Sequence, residues 1–228
     1  PEEVFIYKNP LKGGNTARNY GFTKASGDYI QWLDSDDLLL PGKLEAQINF
    51  LDRNKNIDIA YSDWRMDFYE GEEKIEEEIL QSKEQSSFLK ALIQDQWLPN
   101  NSYLLRRSIA QKLHQEGAWN PERKVAQDRE YFNLAAIYGA QFAYVPGLFS
   151  VYNRWSSNSV SMMNYHQRLK LSLELDQKLM QELRKQTHLD EKVKRRLIAI
   201  LKTNALKSTF YLPSIKILEP ISFFDIQW

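Results

Sequence analysis

The sequence has 228 residues and a mass of 26.9 kDa, with 43% hydrophobic and 13% aromatic residues, so it can bury a core and is not disordered throughout. Its 30 Lys and Arg residues balance its 30 Asp and Glu residues, which argues against a polyanion-binding protein and predicts no nucleic-acid partner. It contains no Cys, which excludes disulfide scaffolds, thiolate zinc sites and thiol catalysis.

The first part of the chain alternates between predicted strands and predicted helices. Apolar, β-branched and aromatic residues predict buried strands at 4–7, 29–33 and 57–61. Helices are predicted at 16–24 and at 42–54, where Leu and Ile recur on one face. This alternation is typical of α/β proteins and predicts a largely parallel sheet.

The next segment is strongly acidic. Residues 66–84 contain eight acidic and two basic side chains around a Gly turn, which predicts a solvated hairpin or a mobile loop. Beyond it, the pattern predicts helices at 86–96, 109–116 and 127–139 and strands at 102–106 and 141–145. The segment 166–208 differs in character, because it predicts long helices with Leu stripes and carries eleven basic against five acidic side chains.

Three carboxylates follow directly after the second predicted strand. Asp34, Asp36 and Asp37 lie within four residues in the stretch YIQWLDSDDLLLP. Like charges this close repel each other, and a divalent cation with oxygen ligands such as Mg²⁺ or Mn²⁺ would offset that cost. In open α/β sheets, ligands bind outside the carboxyl ends of strands. The alternative is that one Asp caps a helix.

Three further stretches are less specific. Gly13 and Gly14 in NPLKGGNTARNYG could face an anion at a helix N-terminus, whereas Arg18 by itself is typical of a surface residue. Asp128 stands at the start of a predicted helix, where helix capping is the simplest interpretation. The polar stretch YNRWSSNSVS, with Arg154, is predicted to be a loop that could hold a diphosphate or stack a sugar.

Together these stretches resemble family 2 glycosyltransferases of the GT-A fold. The family commonly shows N-x-G, A-R-N-x-G, A-x-G-x-Y-I, D-x-D-D and P-x-K-L, and the chain reads LKGGNTARNYGFTKASGDYIQWLDSDDLLLPGKLEAQ. The acceptor-side strand, the acidic helix and the last strand of the family have counterparts farther along, so the resemblance covers residues 4 to about 161. It implies a Rossmann-like, mostly parallel sheet flanked by helices over 1–161, and we expect 162–228 to form a helical C-terminal extension.

The resemblance also implies roles for particular residues. Asp36 would bind Mn²⁺ or Mg²⁺, and Asp128 would be the catalytic base. A nucleoside-diphosphate sugar donor would be bound by the side chains that match the family's nucleotide pocket and its C-terminal loop, namely Arg18, Asp34, Asp37 and Arg154.

Two departures from the family pattern are visible. The sequence has no counterpart of the family's opening strand or of its Asp-rich stretch. We therefore expect the chain to be N-terminally incomplete, without the first strands of the domain. Trp155 stands where the family often has His, and Asn153 stands where it often has Arg. Arg154, shifted by one position, could take over the phosphate contact.

The function expected from the resemblance is that of an inverting glycosyltransferase, which moves a sugar from a nucleoside-diphosphate sugar to a saccharide or lipid-linked acceptor in polysaccharide or cell-envelope biosynthesis. One alternative is a non-catalytic carbohydrate-binding or scaffolding fragment with the same fold. Another is a metal-dependent phosphoryl enzyme that uses the carboxylate cluster.

The location expected from the sequence is cytoplasmic, because no apolar run approaches the ~20 residues of a membrane span. The basic helices beyond residue 166 and the aromatic tail 211–228 raise the hypothesis of peripheral contact with the inner face of the membrane. The alternative is that the Leu and Ile stripes pack on the catalytic domain while the basic residues remain solvated.

Overall fold

A computed structural model describes residues 4–155 and 165–210, apart from the side chains of 208–210. The helices in these ranges are α1 Gly14–Lys24, α2 Lys43–Arg53, α3 Phe88–Ile93, α4 Arg107–Gln115, α5 Gln127–Ile137, α6 Tyr165–Lys185 and α7 Glu191–Phe210. The strands are β1 Tyr29–Ile30, β2 Leu38–Leu39, β3 Ile59–Glu70, β4 Glu73–Leu80, β5 Tyr103–Arg106 and β6 Phe142–Trp155.

The strands form a mixed sheet rather than the largely parallel one that the sequence predicts. Its order is β1-β5-β3-β6-β2, with β4 paired to β3. Among the described strands only β3 and β6 run parallel, and every other pair is antiparallel. The α/β class is confirmed, whereas the strand directions depend on connections that hydrophobic alternation does not encode.

The first predicted strand is wrong. Residues 4–7 have no strand partner in the described part of the chain, and Val4 and Ile6 are 87% and 92% exposed. Because a strand is stabilised by the N–H and C=O groups of a neighbour, apolar and β-branched composition alone did not make one here.

β6 is longer than the sequence predicts, because it continues through Pro146 and Gly147 to Trp155. Its register with β3 shifts between Tyr61 and Asp63, opposite this Pro-Gly pair. An irregularity of this kind accommodates a Pro and lets the strand continue. The first residues of the predicted loop 152–161 are therefore strand, and residues 156–161 lie outside the described part of the chain.

The acidic segment forms the hairpin of β3 and β4, which turns at Gly71 with φ of 60°. Of the two structures that the sequence allowed, the hairpin is confirmed. The β4 residues are almost all exposed, and the single buried carboxylate nearby, Asp67, pairs with Arg65 at 2.7 Å and with Lys74 at 3.1 Å. Most of the negative charge is therefore solvated.

The two C-terminal helices pack on the sheet domain through their Leu stripes. Leu175, Leu179 and Leu183 of α6 and Leu197 and Leu201 of α7 are buried in one core cluster with the apolar residues of α3 and α5. Ion pairs flank this contact, such as Arg129 Nη2 to Asp176 Oδ1 at 2.9 Å. The described stripes thus pack against the rest of the protein, as expected from the alternative to membrane contact. None of the described helices has the length and hydropathy of a membrane span.

Lys43, the first residue of α2, is buried without a carboxylate partner among the described residues. Its Nζ donates to Gln31 Oε1 and Gln47 Oε1, both at 2.6 Å, and to the Tyr103 carbonyl at 3.4 Å. These contacts connect α2 to the segment after β1 and to β5. Burial lowers the pKa of Lys43 to about 7.

This buried amine makes the stability of the protein depend on pH. Between pH 7 and the pKa of the unfolded chain near 10.5, the unfolded state binds one more proton than the folded state. Stability therefore rises with pH in this window, by at most about 1.4 kcal/mol per pH unit.

We predict that Lys43→Met removes this rise. In urea unfolding at pH 7, 8 and 9, the free energy of unfolding of the wild type should increase relative to that of the variant as pH rises. Lys90→Met, on the exposed side of α3, is the matched control, and its effect should be the same at all three pH values. Parallel stability curves for the wild type and Lys43→Met would contradict the prediction.

Candidate active site

One cleft of about 970 Å³ gathers the residues that the sequence singled out. It lies where the loop after β1, the start of α5, the end of β6 and the start of α6 meet. Its lining includes every predicted site residue, namely Arg18, Asp34, Asp36, Asp37, Asp128 and Arg154. Residues far apart in sequence thus share one site, and their roles in it remain predictions.

Arg18 connects the two ends of the cleft. It projects from α1, and its guanidinium pairs with Asp34 Oδ1. The same guanidinium donates to Gln127 Oε1 at 3.2 Å and lies 4.6 Å from the centre of the Trp119 ring. Its side chain is only 15% exposed, so it is not the surface residue that it resembles when taken alone. An arginine fork suits this position, because one planar cation serves several acceptors.

The acidic loop is fastened to β6 by Asn153. The backbone N–H of Asn153 donates to Asp37 Oδ1 at 3.0 Å, and its side-chain amide donates to the carbonyl of Asp36. Burial raises the pKa of Asp37 to about 7, and the nearby charges of Asp36 and Asp34 act in the same direction. Helix α2 begins after Gly42 with no side-chain cap, so helix capping does not explain these carboxylates.

Asp36 is the carboxylate that is best placed to take a ligand. It is exposed in the cleft, and its carboxylate has no hydrogen-bond or ion-pair partner among residues 4–155 and 165–210. The side-chain oxygens of Asn100 and Asn153 are buried and also lack partners in these ranges. Within them, no three His, Cys, Asp or Glu side chains converge. An exposed carboxylate and free amide oxygens are donors of the kind that Mg²⁺ or Mn²⁺ prefers, and these ions commonly take one or two carboxylates together with phosphate oxygens.

Asp128 is the second residue of α5 and is partly buried at the floor of the cleft. Its Oδ1 accepts the backbone N–H of Arg129 at 2.8 Å, and its Oδ2 accepts the indole N–H of Trp97. Burial raises the pKa of Asp128, while the two N–H donors and the charge of Arg18 oppose that shift. A carboxylate with a raised pKa is a stronger base than an exposed one.

Arg154 and Trp155 lie at the end of β6. Arg154 is exposed, with its guanidinium 5.8 Å from the Phe68 ring, and Trp155 stacks on Tyr69 at 4.4 Å. The hairpin of β3 and β4 therefore supports the aromatic rim of the cleft. An exposed cation and a half-buried aromatic ring are available there for an anionic or a sugar ligand.

Sequence reasoning missed the contribution of residues 97–100, which connect the predicted helix 86–96 to the predicted strand 102–106. Trp97 and Asn100 line the cleft, and Asn100 Nδ2 donates to Asp34 Oδ2 at 3.1 Å. The available signal was the run Trp-Leu-Pro-Asn-Asn between a helix and a strand, since an aromatic and amide-rich connection is unusual for a solvated loop. Lys124 and Arg168 also line the cleft and carried no sequence signal.

Residues 1–113 match the family described as Glycosyl transferase family 2. A segment of 61 residues is 47% identical to the minor teichoic acid biosynthesis protein GgaB of Bacillus subtilis and covers 26% of this chain and 7% of that protein. A segment of 55 residues is 42% identical to the UDP-Glc:alpha-D-GlcNAc-diphosphoundecaprenol beta-1,3-glucosyltransferase WfgD of Escherichia coli and covers 24% of this chain and 21% of that protein.

The crystal structure of residues 1–349 of TarS from S. aureus resembles the described fold, with a TM-score of 0.56 at 14% sequence identity. The similarity covers 89% of this chain and 55% of the TarS chain. It confirms the GT-A glycosyltransferase fold that the sequence predicts. The chain thus spans little of the curated relatives and about half of the TarS chain.

We predict that Arg18→Gln lowers the free energy of unfolding by about 1–2 kcal/mol, because it breaks charge-assisted hydrogen bonds in a partly buried setting. The matched control is Lys55→Gln, since Lys55 and Asp52 form an exposed pair with 72% and 52% exposure. That change should cost no more than about 0.5 kcal/mol. Urea unfolding measures both, and equal effects would contradict the structural role of Arg18.

Proposed function

Because residues 1–113 match glycosyltransferase family 2, we propose that the cleft transfers a sugar from a nucleoside-diphosphate sugar to a hydroxyl of a saccharide or lipid-linked acceptor, with inversion. The observation that carries the proposal is the meeting of the acidic loop and Asp128 in one cleft. Donor groups and a base must lie within one substrate's reach of each other for a single displacement.

The donor would occupy the end of the cleft near the acidic loop. Asp34, held by Arg18 and Asn100, would accept hydrogen bonds from the hydroxyl groups of a nucleoside. Asp37 would stabilise the acidic loop through its hydrogen bond from Asn153. Asp36 would hold Mn²⁺ or Mg²⁺, which when bound neutralises charge on a leaving diphosphate. Arg154, exposed at the end of β6, would contact the same phosphates.

Asp128 would act as the general base at the acceptor end. The acceptor oxygen forms a bond to the anomeric carbon while the bond from that carbon to the diphosphate breaks, and the hydroxyl proton passes to Asp128. The diphosphate leaves with the bonding electron pair. A single displacement at the anomeric carbon inverts its configuration.

The named relatives support the class of acceptor. WfgD is named for transfer to a sugar on diphosphoundecaprenol, and GgaB is named for teichoic acid biosynthesis. A saccharide or lipid-linked acceptor in cell-envelope polysaccharide biosynthesis is therefore the acceptor that we propose. A non-catalytic carbohydrate-binding protein with this fold is the competing function, and the kinetic experiment below separates the two.

Two substitutions separate donor binding from chemistry. In the native protein that carries this sequence, Asp36→Asn should abolish Mn²⁺-dependent binding of nucleoside-diphosphate sugars in calorimetry. Asp128→Asn should leave that binding intact and lower the release of nucleoside diphosphate by roughly 10²–10⁴.

A panel of UDP-, GDP- and dTDP-sugars with and without Mn²⁺ serves as the probe, and each variant is the control for the other. Donor binding without any turnover in the wild type would favour the carbohydrate-binding alternative. Near-normal turnover in Asp128→Asn would exclude Asp128 as the base.

The proposal includes a cytoplasmic location with peripheral contact at the inner face of the membrane, where a lipid-linked acceptor would lie. The Leu stripes of α6 and α7 are buried, so any such contact would depend on charge. Lys192, Arg195 and Arg196 are exposed and share one face of α7. Each basic residue close to an anionic surface contributes about 1 kcal/mol.

We predict salt-sensitive co-sedimentation with liposomes that contain phosphatidylglycerol, and none with purely zwitterionic liposomes. Replacing Lys192, Arg195 and Arg196 together by Gln should reduce it, whereas replacing three basic residues of the sheet domain, Arg53, Lys55 and Lys90, by Gln should not. Absence of binding at low salt would contradict the membrane contact.

A further inference from the structure

Trp97 is the one side chain outside α5 whose hydrogen bond to the Asp128 carboxylate is seen in the described part of the chain. Its indole N–H donates to Oδ2, while the N–H of Arg129 donates to Oδ1. A carboxylate oxygen has two acceptor sites, so both oxygens can still accept a substrate hydroxyl. The indole therefore orients the carboxylate without using up its capacity to take a proton.

The backbone around Trp97 is arranged by the end of α3. The helix ends in a Schellman motif, in which the N–H of Gln96 bonds to the carbonyl of Ala91 and the N–H of Asp95 bonds to that of Leu92. Asp95 adopts the left-handed conformation at φ of 66°, which is uncommon for a residue other than Gly. This turn directs the chain from α3 toward the start of α5.

The ring of Trp97 is held by two other aromatic side chains. Trp64 of β3 and Tyr152 of β6 contact it edge-on, with ring centres at 5.3 Å and 5.4 Å. Trp64 is 3% exposed and belongs to the core of the sheet. The donor to Asp128 is thus fixed from the β3–β6 pair and from α3 together, which limits the orientations that the indole can adopt.

The turn is also tied to α5 by an ion pair. Asp95 Oδ1 lies 2.8 Å from Nε of Arg129, the residue that follows Asp128, and Arg129 in turn binds Asp176 of α6. The charged and titratable groups around Asp128 on the elements that pack against it are Arg18 of α1, Asp95 after α3, Tyr103 of β5, Arg129 of α5, Tyr152 of β6 and Asp176 of α6.

We propose that Trp97 is the positioning residue of the catalytic base, which holds the Asp128 carboxylate in one orientation and stabilises its ionised form through the indole N–H. The inference deepens the proposed function, because it gives Asp128 the task of accepting the acceptor's proton. Burial raises the pKa of Asp128, and the Trp97 hydrogen bond counters this shift, so the indole N–H favours the ionised form that a base requires.

The test is a direct titration of the Asp128 carboxyl group, which needs neither donor nor acceptor. In protein labelled with ¹³C at Asp, the Asp128 carboxyl resonance is identified by its absence in Asp128→Asn and followed over pH. Trp97→Phe keeps an aromatic ring but removes the donor, and should raise the midpoint by about one pH unit. An unchanged midpoint would overturn the proposal.

The matched control is Trp64→Phe. It makes the same chemical change in the same aromatic cluster, but Trp64 does not contact Asp128 through its N–H. Because phenylalanine keeps a ring against Trp97 and the Trp97 N–H remains in place, the midpoint should move less in Trp64→Phe than in Trp97→Phe, and an equal shift in the two variants would overturn the proposal. If phenylalanine at position 97 disturbs folding, benzothienylalanine at that position replaces the N–H by sulfur within the same ring shape.

A kinetic measurement separates this inference from the proposed function. If Asp128 is the base, the acidic limb of kcat/KM against pH for nucleoside-diphosphate release moves upward in Trp97→Phe by as much as the carboxyl midpoint does. If the carboxyl midpoint moves but the rate profile does not, Asp128 is not the base. The Trp97 hydrogen bond would then still tune the Asp128 carboxylate, but it would have no role in catalysis.

Discussion

The parallel pairing of β3 with β6 is the constraint on which the candidate site depends. These are the longest described strands, at 12 and 14 residues, and their pairing continues from the core to the rim of the cleft. At the rim, β6 provides Asn153, which fastens the acidic loop. β3 provides Trp64, which supports Trp97 and through it Asp128. The acidic loop and the candidate base are therefore positioned from one strand pair.

The electrostatics of the cleft follow from placing five carboxylates close to a few cations. Asp34 pairs with Arg18, and Asp95 pairs with Arg129. Burial raises the pKa of Asp37 to about 7. Asp36 is exposed, and its carboxylate has no partner among the described residues. Asp36 is therefore the carboxylate of the cleft at which the proposed cation would relieve repulsion most.

In the helices α6 and α7, the charge pattern suggests a surface-binding role, whereas the burial of their Leu residues shows a packing role. Their excess of basic residues invites a surface role, yet their Leu residues are needed by the core, and α6 provides the buried Asp176 that binds Arg129 beside the candidate base. The boundary placed after residue 161 lies outside the described part of the chain. Within the described part, α6 also lines the cleft, so the helical segment takes part in forming the site.

Local periodicity by itself determined the α/β class and most helices, and the acidic run allowed a hairpin. The carboxylate run and the polar stretch with Arg154 indicated a site, whereas Arg18 and Asp128 were assigned to it only through the resemblance to the glycosyltransferase family. The tertiary structure decided what such patterns cannot encode. Strand direction and the fate of residues 4–7 depend on which neighbours supply hydrogen bonds, and the extension of β6 depends on a register shift opposite Pro146. Trp97 joins the site only because α3 and the β3–β6 pair bring its indole to Asp128, 31 residues away in sequence.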